Sequence, residues 1–198
     1  AKGAAKGSTS VLDDAFELAS IYLAANGHDL NTTDSKVLEQ AREFLVNDFA
    51  KYIRNFSSDP SQNIVQRDFA LMQCYNGDAR LGIDEGDYDG WEFVFPEPTA
   101  NLWMDNWAIA KGAPHPEAAH AFIDFIIAPD VQLAQVDYIG YDTGVQGTQQ
   151  KAEEAGLERL DMVYFDDAQV QTMHEQKFTS AQERIVAIWN ATKAAAGA

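Results

Sequence analysis

The sequence predicts an α/β fold, in which short apolar runs of strand character alternate with longer stretches of helical periodicity. Three observations carry this. "TSVL" is followed at once by aspartates suited to cap a helix, "FALMQCYNG" is a compact apolar run bounded by Asn-Gly, and two later helical patterns each open on a proline.

The elements follow in order. "AKGAAKGSTS" has the composition of a flexible lead-in over residues 1–8, with order expected from Thr9. After the strand "TSVL", Asp13 or Asp14 caps "AFELASIYLAANG", whose Leu18, Ile21, Tyr22 and Ala25 share a helical face and whose Gly27 ends it. Asp34 caps a longer helix over about 35–54, where Val37, Leu38, Ala41, Phe44, Leu45, Phe49, Tyr52 and Ile53 recur at helical spacing. "FSSDPSQN" breaks that pattern. "FALMQCYNG", "WEFVF" and "NLWMDNWAI" read as strands, the last two joined by "PEPTA". Helices are expected over 116–127 and 129–139, with Gly140 closing the second, and the remainder, including "SAQERIVAIWNATKAAA", is mostly helical. In such a fold ligands bind at the carboxyl ends of strands.

Composition narrows the function. Lys plus Arg number 14 against 31 Asp plus Glu, a formal charge of -17, so cationic partners are favoured and nucleic acid is not. Cys74 stands alone, which excludes an intrachain disulfide and a multi-cysteine zinc site. No apolar run is long enough to span a membrane, and the start lacks the apolar core of a signal peptide, so an exported protein would already have lost its signal.

Few stretches carry chemistry. Asp14 and Glu17 stand at i, i+3 at a helix start, where acids ordinarily cap the helix and complement its dipole; a glycosidase-like pair is the enzymatic alternative. "DEGDYDG" lacks the spacing of a calcium loop and reads as a solvated acidic turn. His28, His115, His120 and His174 show no metal-ligand spacing, and no nucleophile elbow, phosphate loop or dinucleotide fingerprint occurs; no cofactor or metal is expected. Trp103, Asp105 and Trp107 would share one face of a regular strand. They are either two core tryptophans with an aspartate satisfied by backbone N–H groups, or an ammonium site in which indole faces attract the cation and the carboxylate binds it.

"LDDAFEL", "NGHDLNTTD", "FSSDP", "CYNGDA", "LWMDNWAI", "AAHAFIDFIIAPDV" and "YIGYDTG", in this order, resemble the periplasmic polyamine-binding proteins of the spermidine/putrescine type that feed ABC transporters. The resemblance implies a two-lobed type II binding-protein fold, a non-enzymatic function, a membrane permease as partner and a periplasmic location. It also implies ligand positions at Asp14, Glu17, Tyr75, Trp103, Asp105, Tyr141 and Gln176. Carboxylates at separate points would meet the ammonium groups while aromatic walls desolvate the methylene chain between them. Trp107 is left to core packing. Tyr75 stands where the family shows Trp, and "GYDTG" where it shows Gly-Tyr-Pro-Thr-Pro, so Asp142 adds an acid. In lobes, the resemblance implies 9–105 and 150–198 in the second, ligand-binding lobe and 106–149 in the first. The rest of the first lobe would have to come from an N-terminal lobe absent here or from another chain, without which Phe122, Ile123, Phe125 and Ile126 should be exposed.

Overall fold

The computed structural model describes residues 7–198. Most of the expected lead-in therefore lies outside the described residues; from Thr9 on the chain is α/β. Three parallel strands form the central sheet in the order β2-β1-β3: β1 (Thr9–Leu12), β2 (Ile53–Ser57) and β3 (Leu71–Met72). A second parallel pair joins β4 (Asn101–Leu102) to β5 (His174–Glu175).

β1 is buried along its whole length. It leads directly into α1 (Ala15–Ala25), capped by Asp14, whose Oδ1 accepts from the backbone N–H groups of Phe16 (2.8 Å) and Glu17 (2.9 Å). Asp13, the other candidate cap, is instead paired with Lys193 at 2.8 Å. Gly27 follows α1 at φ +66, as a helix stop requires. The buried face of α1 is Leu18, Ala19, Leu23 and Ala24 rather than the expected Ile21, Tyr22 and Ala25, because α9 (Gln182–Ala196) packs on it through Ile185 and Ile188. Leu38 of α2 (Ser35–Glu43), Leu45 and Ile53 complete this core.

The helix expected over 35–54 is not continuous. It widens into a π-helical stretch at Phe44–Phe49, tightens into a 3-10 turn at Ala50–Tyr52 and gives way to β2 at Ile53, which pairs with Thr9. Arg54 and Asn55 hid that strand, since its burial does not alternate cleanly. "FSSDPSQN" holds a helix start: Asp59 caps α3 (Pro60–Gln66) with proline in the first turn.

The largest correction concerns "FALMQCYNG". Its strand is confined to Leu71–Met72, and Asn76 and Gly77 open α4 (Asn76–Gly86) instead of a turn. The three glycines of α4 disguise it as a loop, yet they permit its packing: a side chain at Gly82 would meet the Ser61 carbonyl at 2.8 Å and Ile64, and one at Gly77 would strike the Tyr141 ring. "DEGDYDG" is then half helix end. Asp84 lies within α4 and pairs with Arg159 at 2.6 Å, and Asp87 ends the helix at φ 42. "WEFVF" joins no sheet. Trp91, Phe93 and Phe95 are partly buried, with Trp91 and Phe93 against Ile64, Ala79 and Ile83, while Glu92 and Val94 are exposed, so the alternation of a strand is present without its ladder. "NLWMDNWAI" is strand only at its first two residues.

α5 (Pro116–Ile126) and α6 (Pro129–Ile139) match the expected helices, and Gly140 closes α6 at φ 78. α5 has no buried residue. α6 packs on α7 (Thr148–Glu154) and meets α4 where Gly140 lies on Gly77 and where Arg80 Nη1 donates to the Val136 carbonyl at 3.2 Å. A 3-10 turn at Leu160–Met162 and the short α8 (Asp167–Val170) lead to β5.

Candidate functional site

The ends of these strands converge on an open groove of about 2250 Å³. That exceeds the roughly 300–1,000 Å³ of an enclosed small-molecule site, so the groove is open rather than a closed pocket. β1 delivers Asp14 and Glu17, β3 delivers Tyr75 and β4 delivers Trp103 and Asp105, each at a carboxyl end, while the end of α6 delivers Tyr141. Six of the expected positions thus line one cavity. Gln176, next after β5, does not line it although Glu175 does. The Gln176 Oε1 is nonetheless buried without a hydrogen bond, and the flanking backbone is held by Asn31, which donates to the Glu175 carbonyl (3.0 Å) and accepts from Lys177 N (2.6 Å).

Glu17 is the most enclosed acid, 6% exposed in the first turn of α1. Its Oε1 accepts from the indole Nε1 of Trp103 at 2.9 Å, a contact between residues 86 apart in sequence. Gln73 fixes the same turn from below, donating to the Glu17 carbonyl at 2.9 Å and accepting from Leu12 N at 3.2 Å. Burial pushes the Glu17 carboxyl above its ordinary 4.5; hydrogen bonding from Trp103 and the neighbouring Asn101 amide oppose this, and the charge of Asp14 adds to it. Burial likewise raises the Tyr75 phenol, helped by the charges of Glu17, Asp14 and Asp78, so Tyr75 remains a neutral hydroxyl beside the acids. Tyr141 is raised by burial and by Asp78, with which it hydrogen-bonds.

The Trp103, Asp105, Trp107 trio does not behave as one strand face, because the strand ends at Leu102. Trp103 reaches back to Glu17. Asp105 is exposed and makes no hydrogen bond or ion pair among the described residues. Trp107 is 58% exposed and packs edge-on against Phe122 at 5.4 Å, so its expected place in the core is not what the fold provides.

Charge on the groove is one-sided. Asp14, Glu17, Glu92, Glu97, Asp105, Asp142 and Glu175 line it, against a single cationic side chain among the described residues, Arg67, which is already stacked on Tyr88 at 4.1 Å. A wall of carboxylates and aromatic rings whose one cation is already engaged can solvate an organic ammonium and cover an aliphatic chain. Sequence reasoning missed Gln73, Asp78 and Asn101. Asn101 stands two residues before Trp103, in the alternation that singled out Trp103 and Asp105, so that signal was readable.

A groove at the carboxyl ends of parallel strands is where α/β proteins place their ligands. Residues 1–158 match the family of bacterial extracellular solute-binding proteins, and the chain belongs to that family. It is 32% identical over 138 residues to the spermidine/putrescine-binding periplasmic protein of Salmonella typhimurium and 33% identical over 142 residues to that of Escherichia coli. It is 28% identical over 142 residues to the putrescine/agmatine-binding protein of Pseudomonas aeruginosa. The first two matches each take in 70% of this chain and 39% of the relative, the third 69% and 38%, so the chain spans about two-fifths of the length of these curated relatives. Among solved structures, the spermidine/putrescine ABC transporter substrate-binding protein PotD of Streptococcus pneumoniae superposes with a TM-score of 0.81 at 24% identity, covering 98% of this chain and 60% of that one. The TpPotD lipoprotein of Treponema pallidum gives 0.75 at 20% identity, covering 96% and 59%. The fold is therefore that of the type II binding proteins.

Proposed function

We propose that this chain is the solute-binding component of an ABC importer, or part of one, and that it takes up a linear polyamine in the groove. The observation that carries this is the groove's charge: among the described residues, seven carboxylates and one occupied arginine, with Glu17 buried and facing no cation. Asp14, Glu17 and Asp105 serve as anionic anchors for ammonium groups, while Tyr75, Trp103 and Tyr141 cover the methylene chain. Gln176 is kept in the set although it does not line the groove, since its buried Oε1 has no hydrogen-bond partner. The relatives that bind polyamines by name support this reading, as does the periplasmic location that two of those names state, which we extend to this chain together with a membrane permease as partner. No catalytic step is assigned to the acids.

The division into lobes belongs to the same proposal. Residues 9–105 and 150–198 form the ligand-binding lobe and 106–149 belong to the other, whose remaining strands come from a longer protein or another chain. Support comes from α5, which has no fully buried residue and leaves Phe122 and Phe125 exposed, although Ile123 and Ile126 are partly buried rather than exposed. Closure of that other lobe over the open groove would desolvate the ligand from both sides.

Isothermal titration calorimetry with putrescine, spermidine and agmatine tests the assignment. Saturable binding of at least one, with the ligand recovered unchanged, is the expected result. Failure of all three to bind the protein as its organism makes it, or turnover of a chromogenic glycoside by the acids, would overturn it.

A further inference from the structure

Building on the polyamine reading, the geometry around Glu17 points to an unassigned ligand contact. Asn101 opens β4 two residues before Trp103, lines the groove and lies beside the Glu17 carboxylate, close enough to favour its charged form. Yet both amide atoms of Asn101, Nδ2 and Oδ1, are shielded from solvent and neither closes a hydrogen bond of good geometry. A buried amide left unpaired is costly, which marks a position whose partner arrives from outside.

Chemistry orients the amide. An ionised carboxylate only accepts, so Nδ2 must turn toward Glu17, leaving Oδ1 as an acceptor for something else. The other acceptors nearby have one oxygen spent and one open. Asp14 uses Oδ1 on two backbone N–H groups, and Glu17 uses Oε1 on Trp103. A primary ammonium carries three N–H donors, and the open acceptors match them in number: Asp14 Oδ2, Glu17 Oε2 and Asn101 Oδ1.

We propose that Asn101 is a ligand-contacting residue whose Nδ2 holds Glu17 and whose Oδ1 accepts from a primary ammonium seated between Glu17 and Asp14. The pocket thereby selects –NH₃⁺ over methylated ammonium. A quaternary group keeps the charge and the attraction of the Trp103 indole, but has no N–H to give the three oxygens.

The test compares 1,4-diaminobutane with its fully N-methylated bis-quaternary analogue by calorimetry, in the protein as its organism makes it. Wild type should prefer the primary diamine at least about tenfold. Asn101→Leu should lose roughly tenfold for the diamine and hold the quaternary analogue within about twofold, so that the discrimination narrows. Asn101→Ala, which leaves only a methyl group at a half-buried position, should narrow it likewise and keeps the measurement open if leucine disturbs the β4–β5 pair. Variants that lose both ligands equally would mark Asn101 as structural, and variants that lose neither would mark it as idle; either result overturns the inference while leaving polyamine binding intact. A wild type that binds neither ligand would remove the functional reading and this inference together.

Discussion

Around Glu17 the groove rests on a packed core, whereas around Asp105 and Trp107 it rests on a run with no regular structure, and the two walls use the same kinds of residue. Glu17 sits one turn into a helix whose next residue, Leu18, is 0% exposed and packs among α9 and α2 side chains. Asp105 sits three residues past the end of a two-residue strand, and the helix that follows buries nothing. The first carboxylate is held in place before any ligand arrives. The second needs another surface to define its position, so its contribution depends on closure. An acid's place in a motif therefore says which chemistry it can perform, while the packing beneath it says whether it is already poised to do so.

The largest expected effect tests that contrast through stability. Leu18→Ala should cost about 2–5 kcal/mol, the loss of a buried leucine and the cavity it leaves. Phe125→Ala, at a position 61% exposed, should change stability by no more than about 0.5 kcal/mol. Paired urea denaturation curves measure both, and a comparable loss for Phe125 would mean that α5 is packed in solution and that the two walls are alike.

Next in size is the open anchor. Asp105→Asn should weaken polyamine binding by roughly 1.5–3 kcal/mol, the scale of a charged hydrogen bond, without moving the thermal midpoint, because Asp105 pairs with nothing among the described residues. Titration and thermal unfolding of the same preparation separate the two readouts. A lowered midpoint would show that this run is structured by its carboxylate, and unchanged affinity would remove Asp105 from the site.

The smallest effect concerns the poised anchor. In the folded chain Glu17 is held above its ordinary 4.5, so over the window between 4.5 and that raised value the folded state keeps a proton that the unfolded state has lost. Its contribution to stability therefore falls as pH rises through the window and is restored at acid pH. Glu17→Gln removes the titration, and its stability relative to wild type should climb as pH rises from about 4 to 7. Thermal unfolding across that range reads it. Parallel profiles for the two proteins would mean that Glu17 is solvated like Asp105, and the contrast between the walls would lose its electrostatic side.

Part of this region was legible because its signals are local. Asp14 before an apolar helical pattern, the α/β class and the proline-opened helices α5 and α6 can each be read within a few residues, because capping and periodicity act over one or two turns of chain, and the sequence by itself determined them. Tyr75 and Tyr141 entered through the family resemblance instead, while the local reading of Asn-Gly as a turn and of Trp103, Asp105 and Trp107 as one strand face is not what the fold formed. What the sequence could not determine depends on partners far away in the chain. α4 is helical despite its glycines because Gly82 lies on α3 and Gly77 on Tyr141; β2 is a strand because β1 pairs with it. Glu17 and Trp103 meet across 86 residues, and the Asn101 amide stands beside the same carboxylate. Only the tertiary structure decided these, since packing and long-range hydrogen bonds override weak local propensity wherever the local alternatives differ by less than about 1 kcal/mol per residue.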